Sequence, residues 1–179
     1  GVTVQIFGLF TMDRLNVAGE EGAELTAAGF MVSALALLAT QTALLPRLKL
    51  SARQLMAWGA GLIGLGVALQ AIAPSFGVLL VSQSIQGLGA GLARPGFTGG
   101  ASVAVQPEEQ GAAAGLIVAS NGAGFVFSPL LGGVVYERVG ITAPLWIAFA
   151  LLAAMLAFVL LSRRLRTPAI ETATADASP

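Results

Sequence analysis

The chain of 179 residues contains no cysteine and no histidine. Their absence excludes disulfides, thiol nucleophiles, Ser-His hydrolysis and zinc sites built on Cys or His. The reading is of a protein that is not an enzyme and carries no cofactor or metal. Charge is also scarce. Charged residues make up 10% of the chain, against about a quarter in ordinary soluble domains. Formal net charge is zero, which argues against a nucleic-acid partner. Four stretches lack any charge: Leu25 to Pro46, Gln54 to Ala93, Gln110 to Tyr136 and Val139 to Ser162. What fills them is apolar, for 56% of the chain is hydrophobic and its mean hydropathy is +0.84.

A helix that crosses a bilayer needs about 20 mostly apolar residues, because its backbone must satisfy its own hydrogen bonds in oil. The expected fold is therefore all-α and integral to the membrane, with the bilayer as first partner. Five complete spans are placed at about Leu25–Leu45, Leu55–Ala73, Phe76–Val105, Gly111–Val135 and Ile141–Leu161. Ala73-Pro74-Ser75 forms a turn inside the longest uncharged stretch. The apolar stub Gly1–Met12 is about 18 Å of helix, short of a hydrocarbon core of about 30 Å. It reads as a sixth span cut in half, so that the chain is a fragment whose other part lies upstream. Residues 1–166 form the membrane domain. The Ala-, Thr-, Ser- and Pro-containing tail, residues 167–179, has nothing to bury and reads as disordered.

Orientation follows from basic residues. Arg47, Lys49 and Arg53 fall in one link, and Arg163, Arg164 and Arg166 follow the last span. Both clusters lie on one side, which Lys/Arg excess marks as cytoplasmic. The C-terminus is then cytoplasmic and the loop with Glu20, Glu21 and Glu24 outside. Abundant Ala and Gly with a single Lys point to a bacterial inner membrane.

Polar residues are uneven among the spans. The second and fifth complete spans carry almost none and read as lipid-facing or peripheral. In the span 76–105, Gln83, Gln86, Ala90, Arg94 and Thr98 lie within roughly 120° on a helical wheel. Such a stripe faces protein or a water-filled cavity, so its Gln and Ser residues are either interhelical hydrogen-bond partners or cavity lining. Arg94 is the strongest candidate for function, because an ionised group at the bilayer centre costs about 2.5–3.5 kcal/mol on insertion scales. The pairs Gly87/Gly91, Gly96/Gly100 and Gly111/Gly115 have the spacing that lets helix backbones approach.

Gly115-x8-Gly124-x3-Ser128-Pro129-x2-Gly132-Gly133 resembles the antiporter motif of the major facilitator superfamily, G-x8-G-x3-G-P-x2-G-G. Ser128 stands where the family has Gly. Gln83-Ser84-Ile85-Gln86-Gly87-Leu88-Gly89-Ala90-Gly91 looks like the family's R-x-x-Q-G-x-G-A-A segment, with Gln83 in place of Arg. The link Leu45–Leu50 lacks the family's G-x-x-x-D-R-x-G-R signature. The resemblance therefore implies the C-terminal half of such a transporter: a six-helix half-bundle whose first helix is truncated and whose antiporter-like helix is kinked and tightly packed.

That family implies alternating access around a midplane site between two halves. The expected function is a proton-coupled exporter of drugs or small metabolites, acting with an N-terminal half and binding a small-molecule substrate and protons. No Asp, Glu or His lies inside a complete span, so a coupling carboxylate is expected in the other half. Gln83, Gln86, Arg94, Gln41 and Asn121 are the cavity candidates. The competing reading is a membrane-embedded remnant, or a split-half partner, without transport of its own.

Overall fold

The computed structural model describes residues 2–104 and 110–161, all in helices and short connections. Helix α1 spans Val2–Leu15 and α2 spans Gly19–Ala39. The latter runs on through a π-helical turn, Thr40–Leu44, into a 3₁₀ turn, Leu45–Arg47. Then follow α3 (Ala52–Ile72), α4 (Phe76–Ala104), α5 (Gln110–Val139) and α6 (Ala143–Leu161). Five helices, α2 to α6, are long and apolar enough to cross a membrane. The expected tail, the acidic link at Glu108 and Glu109, and Arg163, Arg164 and Arg166 lie outside the described residues.

Local chemistry sets the breaks. Ser51 caps α3 in a capping box: Gln54 N donates to Ser51 Oγ at 3.3 Å and Ser51 N to Gln54 Oε1 at 2.9 Å, which satisfies two otherwise orphaned donors. Pro46 lies in the 3₁₀ turn, where it ends the regular ladder of α2. Pro74 forces the preceding Ala73 out of helical geometry, at φ −59° and ψ 120°, and so closes α3. Gly140 ends α5 at φ 135°, a conformation that suits glycine. The α2 helix begins earlier than its hydropathy suggests, because Glu20 and Glu21 sit in its first turn, where the helix dipole favours acids.

Three turns, α1–α2, α3–α4 and α5–α6, gather at one end of the bundle, here termed the three-turn end. A shared core of Ile6, Phe7, Phe10, Val67, Ala71, Ala73, Leu79, Tyr136 and Leu145 joins them. Charged side chains tie the helix ends. Arg14 Nε donates to the Ala73 carbonyl at 2.8 Å. At the opposite end Arg53 Nε and Nη2 donate to the Val159 and Leu160 carbonyls at 3.0 and 2.6 Å, closing the orphaned carbonyls at the end of α6.

The most extensive helix contact is the α3–α4 pair. A Cβ on Gly59 would lie 2.6 Å from the Ala93 nitrogen, and one on Gly89 would lie 2.8 Å from the Gly59 oxygen. On the other flank of α4, a Cβ on Gly87 would run into the Ser33 carbonyl of α2. The backbones touch through small residues, as membrane helices do where lipid gives no hydrophobic drive to associate.

One expectation is corrected here. The α3 helix is not lipid-facing all round: half of its apolar window is buried, because α4 and α6 pack on it, while Trp58, Leu65 and Ile72 stay exposed. Its lack of polar groups reflects dry, glycine-mediated packing. The exposed helices are α5, with none of its window buried among the described residues, α2 with 11% and α6 with 17%, the last in keeping with the lipid-facing or peripheral place expected of it.

Candidate functional site

The stripe on α4 divides. Gln83 is buried at 4% exposure and its stem lies toward Gly29 of α2, against which the Phe7 ring of α1 also packs. Phe7 and Phe30 add a tilted ring contact with centroids 5.3 Å apart. Three residues further on, Gln86 turns the other way. Its Nε2 donates to Gln70 Oε1 of α3 at 2.8 Å, inside the protein. Of the two roles open to the stripe's glutamines, Gln86 takes the interhelical one. Sequence reasoning missed Gln70 as its partner, although one amide alone in an apolar span signals a buried pair. Gln70 Nε2 and Thr11 Oγ1 are buried with no hydrogen-bond partner among the described residues.

Arg94 lies eleven residues after Gln83 and thus about 20° from it around the helix. It is exposed, as are Phe97 and Thr98. The same face is thus buried at Gln83 and open at Arg94. The guanidinium has no hydrogen bond or ion pair among the described residues, while the backbone carbonyl of Arg94 accepts from Thr98 Oγ1 at 3.2 Å. Pro95 lies within α4 and so removes one ladder donor. Gln41 is half-buried in the π-helical turn of α2. π-helical turns are frequent at functional sites. This one abuts α4: a Cβ on Gly91 would lie 2.7 Å from Thr40 Cβ. Asn121 is exposed on α5. No hydrogen bond links Gln41, Arg94 and Asn121 among the described residues.

The antiporter-like segment differs from expectation. Gly115, Gly124 and Gly133 have nothing within 4 Å of an added Cβ. Pro129 is exposed, Ser128 half-buried and Gly132 buried. The tight packing expected of this helix is not made by the described residues. The reason is geometric: α5 is fastened near its end, by Tyr136 in the core, and its glycine-rich length faces away from the bundle.

No group of three or more His, Cys, Asp or Glu that could hold a metal occurs among the described residues. The described residues form a helical bundle with five helices long and apolar enough to cross a membrane and an exposed cation, Arg94, on α4. By sequence the chain matches the Major Facilitator Superfamily over residues 4–178, and it belongs to that family. It is 36% identical over 112 residues to an MFS-type transporter ppzB of Metarhizium majus, a match that covers 61% of this chain and 23% of the relative. A protein of the same name from Metarhizium rileyi is 35% identical over the same shares. The mouse synaptic vesicular amine transporter is 37% identical over 82 residues, 45% of this chain and 16% of its own length. The chain thus spans less than a quarter of each of these relatives in the matched regions.

Proposed function

We propose that the chain is the C-terminal half of a secondary transporter that works by alternating access with an N-terminal half. The observation that carries this reading is Arg94: a cation within a membrane-crossing helix, exposed and without a side-chain partner among the described residues, in a chain of the Major Facilitator Superfamily. A guanidinium at that depth is costly in lipid and stable against water, an acid or an anionic substrate group. Gln83 lies on the same face of α4, and Gln41 and Asn121 are the further candidates for the cavity wall. Gln86 supports that wall from behind through Gln70.

The proposed cargo is a drug or small metabolite, exported in exchange for protons. The antiporter-like motif supports this finer reading, and the unpacked glycines of α5 fit a helix that packs against the other half. The proposed orientation puts Arg47, Lys49 and Arg53 in the cytoplasm, hence the three-turn end outside and the C-terminus inside. A bacterial inner membrane is proposed from composition; the relatives compared are fungal and murine.

The test is transport by the full-length protein with Arg94→Ala, assayed in proteoliposomes at matched protein abundance. The expected result is a loss of at least about tenfold, with insertion intact. Arg94→Lys should restore only part, because a point charge replaces a planar fork. Unchanged transport by the Ala variant would remove Arg94 from the mechanism.

A further inference from the structure

At the three-turn end, Asp13 in the last turn of α1 meets Tyr136 in the last turns of α5, 123 positions later in sequence. Tyr136 Oη donates to Asp13 Oδ2 at 2.5 Å. The two partners have opposite surroundings. Tyr136 is 9% exposed and belongs to the core with Ile6, Phe7, Phe10 and Leu145, whereas Asp13 is exposed. The acceptor is open to protons from water while the donor is anchored in the core.

We propose that Asp13 and Tyr136 form a proton-binding site that fastens α5 to α1 when empty and loosens it when filled. A proton added to the Asp13 carboxylate gives the neutral acid, and the phenol keeps its own proton. The contact then joins two neutral groups and loses about half its strength. The consequence falls on α5, none of whose apolar window is buried among the described residues.

The other charged or titratable groups on the surrounding ends are few. They are Arg14 on α1, engaged with the Ala73 carbonyl; Glu20, Glu21 and Glu24 on α2; and Glu137 and Arg138 on α5. The α3–α4 turn and the start of α6 bring none. The absence of histidine leaves no imidazole to compete near neutrality. The proposal rests on this contact alone and does not depend on the transport reading.

The chain has one tyrosine, so a ¹³Cζ-tyrosine label gives a single resonance. With the chain in lipid nanodiscs, that resonance is followed from about pH 7 to about pH 3. The expected result is a reversible upfield movement on acidification as the phenol loses its anionic acceptor. In Asp13→Asn the resonance should stay at the upfield position throughout. A stationary wild-type resonance, or the same movement in Asp13→Asn, would overturn the proposal. Should Asp13→Asn fail to insert, Glu20→Gln, Glu21→Gln, Glu24→Gln and Glu137→Gln decide. Movement that survives in all four assigns the titration to Asp13, and its loss in any one overturns the assignment.

Discussion

Helices α4 and α5 carry similar means and use them differently. Each has glycines in the spacings of close helix packing, a proline within its length and few charges. In α4 the central glycines are occupied: Gly87 meets α2, and Gly89 and Gly96 meet α3. In α5, Gly115, Gly124 and Gly133 meet nothing within the described chain. A small-residue motif is permission for close approach, and a neighbouring backbone must be present to use it. The contrast explains why half of the α4 window is buried and none of the α5 window is.

The largest test of this contrast is a paired substitution. Gly59→Leu should cost about 3 kcal/mol or more, at the upper end of overpacking penalties, because backbone at Ala93 blocks the first carbon and cannot rotate away. Gly124→Leu on α5 should leave the stability of this chain unchanged. Unfolding in detergent, followed by helical circular dichroism, reads both. Equal losses would break the contrast.

The next test removes the buried amide pair. Gln86→Leu alone leaves Gln70 without its hydrogen-bond partner and should cost about 1–3 kcal/mol. The double variant Gln70→Leu with Gln86→Leu removes both polar groups and should recover most of that loss. Thermal unfolding of the four members of the cycle gives the coupling. An additive result would mean that the two amides do not interact.

A smaller effect is expected where charge ties helix ends. Arg53→Ala frees the Val159 and Leu160 carbonyls at the end of α6 and should cost about 0.5–1.5 kcal/mol. Faster hydrogen exchange confined to the last turn of α6 checks it. Unchanged exchange there would show that water replaces the guanidinium without loss.

Much of the architecture was legible in the sequence, because lipid imposes length and apolarity on any crossing helix. The uncharged stretches announced five crossing helices, and Pro74 marked a break between two of them by local chemistry. Which faces meet was less legible. The scarcity of polar groups in α3 suggested a lipid-facing helix, yet a dry glycine interface has the same composition. The stripe on α4 located Gln83, Gln86 and Arg94 on one side, but a wheel of about 120° cannot separate α2 from α3 as neighbour. The structure does so, sending Gln83 to one and Gln86 to the other. The Asp13–Tyr136 contact bridges sequence positions too distant for any periodic pattern to pair.

The central claim is that the uncovered face of α4 at Arg94 opens to water rather than to lipid. The most direct measurement uses the absence of native cysteine: Arg94→Cys and Thr98→Cys are compared with Leu65→Cys on the exposed face of α3, each in the chain as it stands in lipid vesicles. A charged, water-soluble thiol reagent should modify the first two rapidly and Leu65→Cys at least about tenfold more slowly, since lipid excludes the reagent and suppresses the thiolate. Equal protection of all three positions would contradict the account.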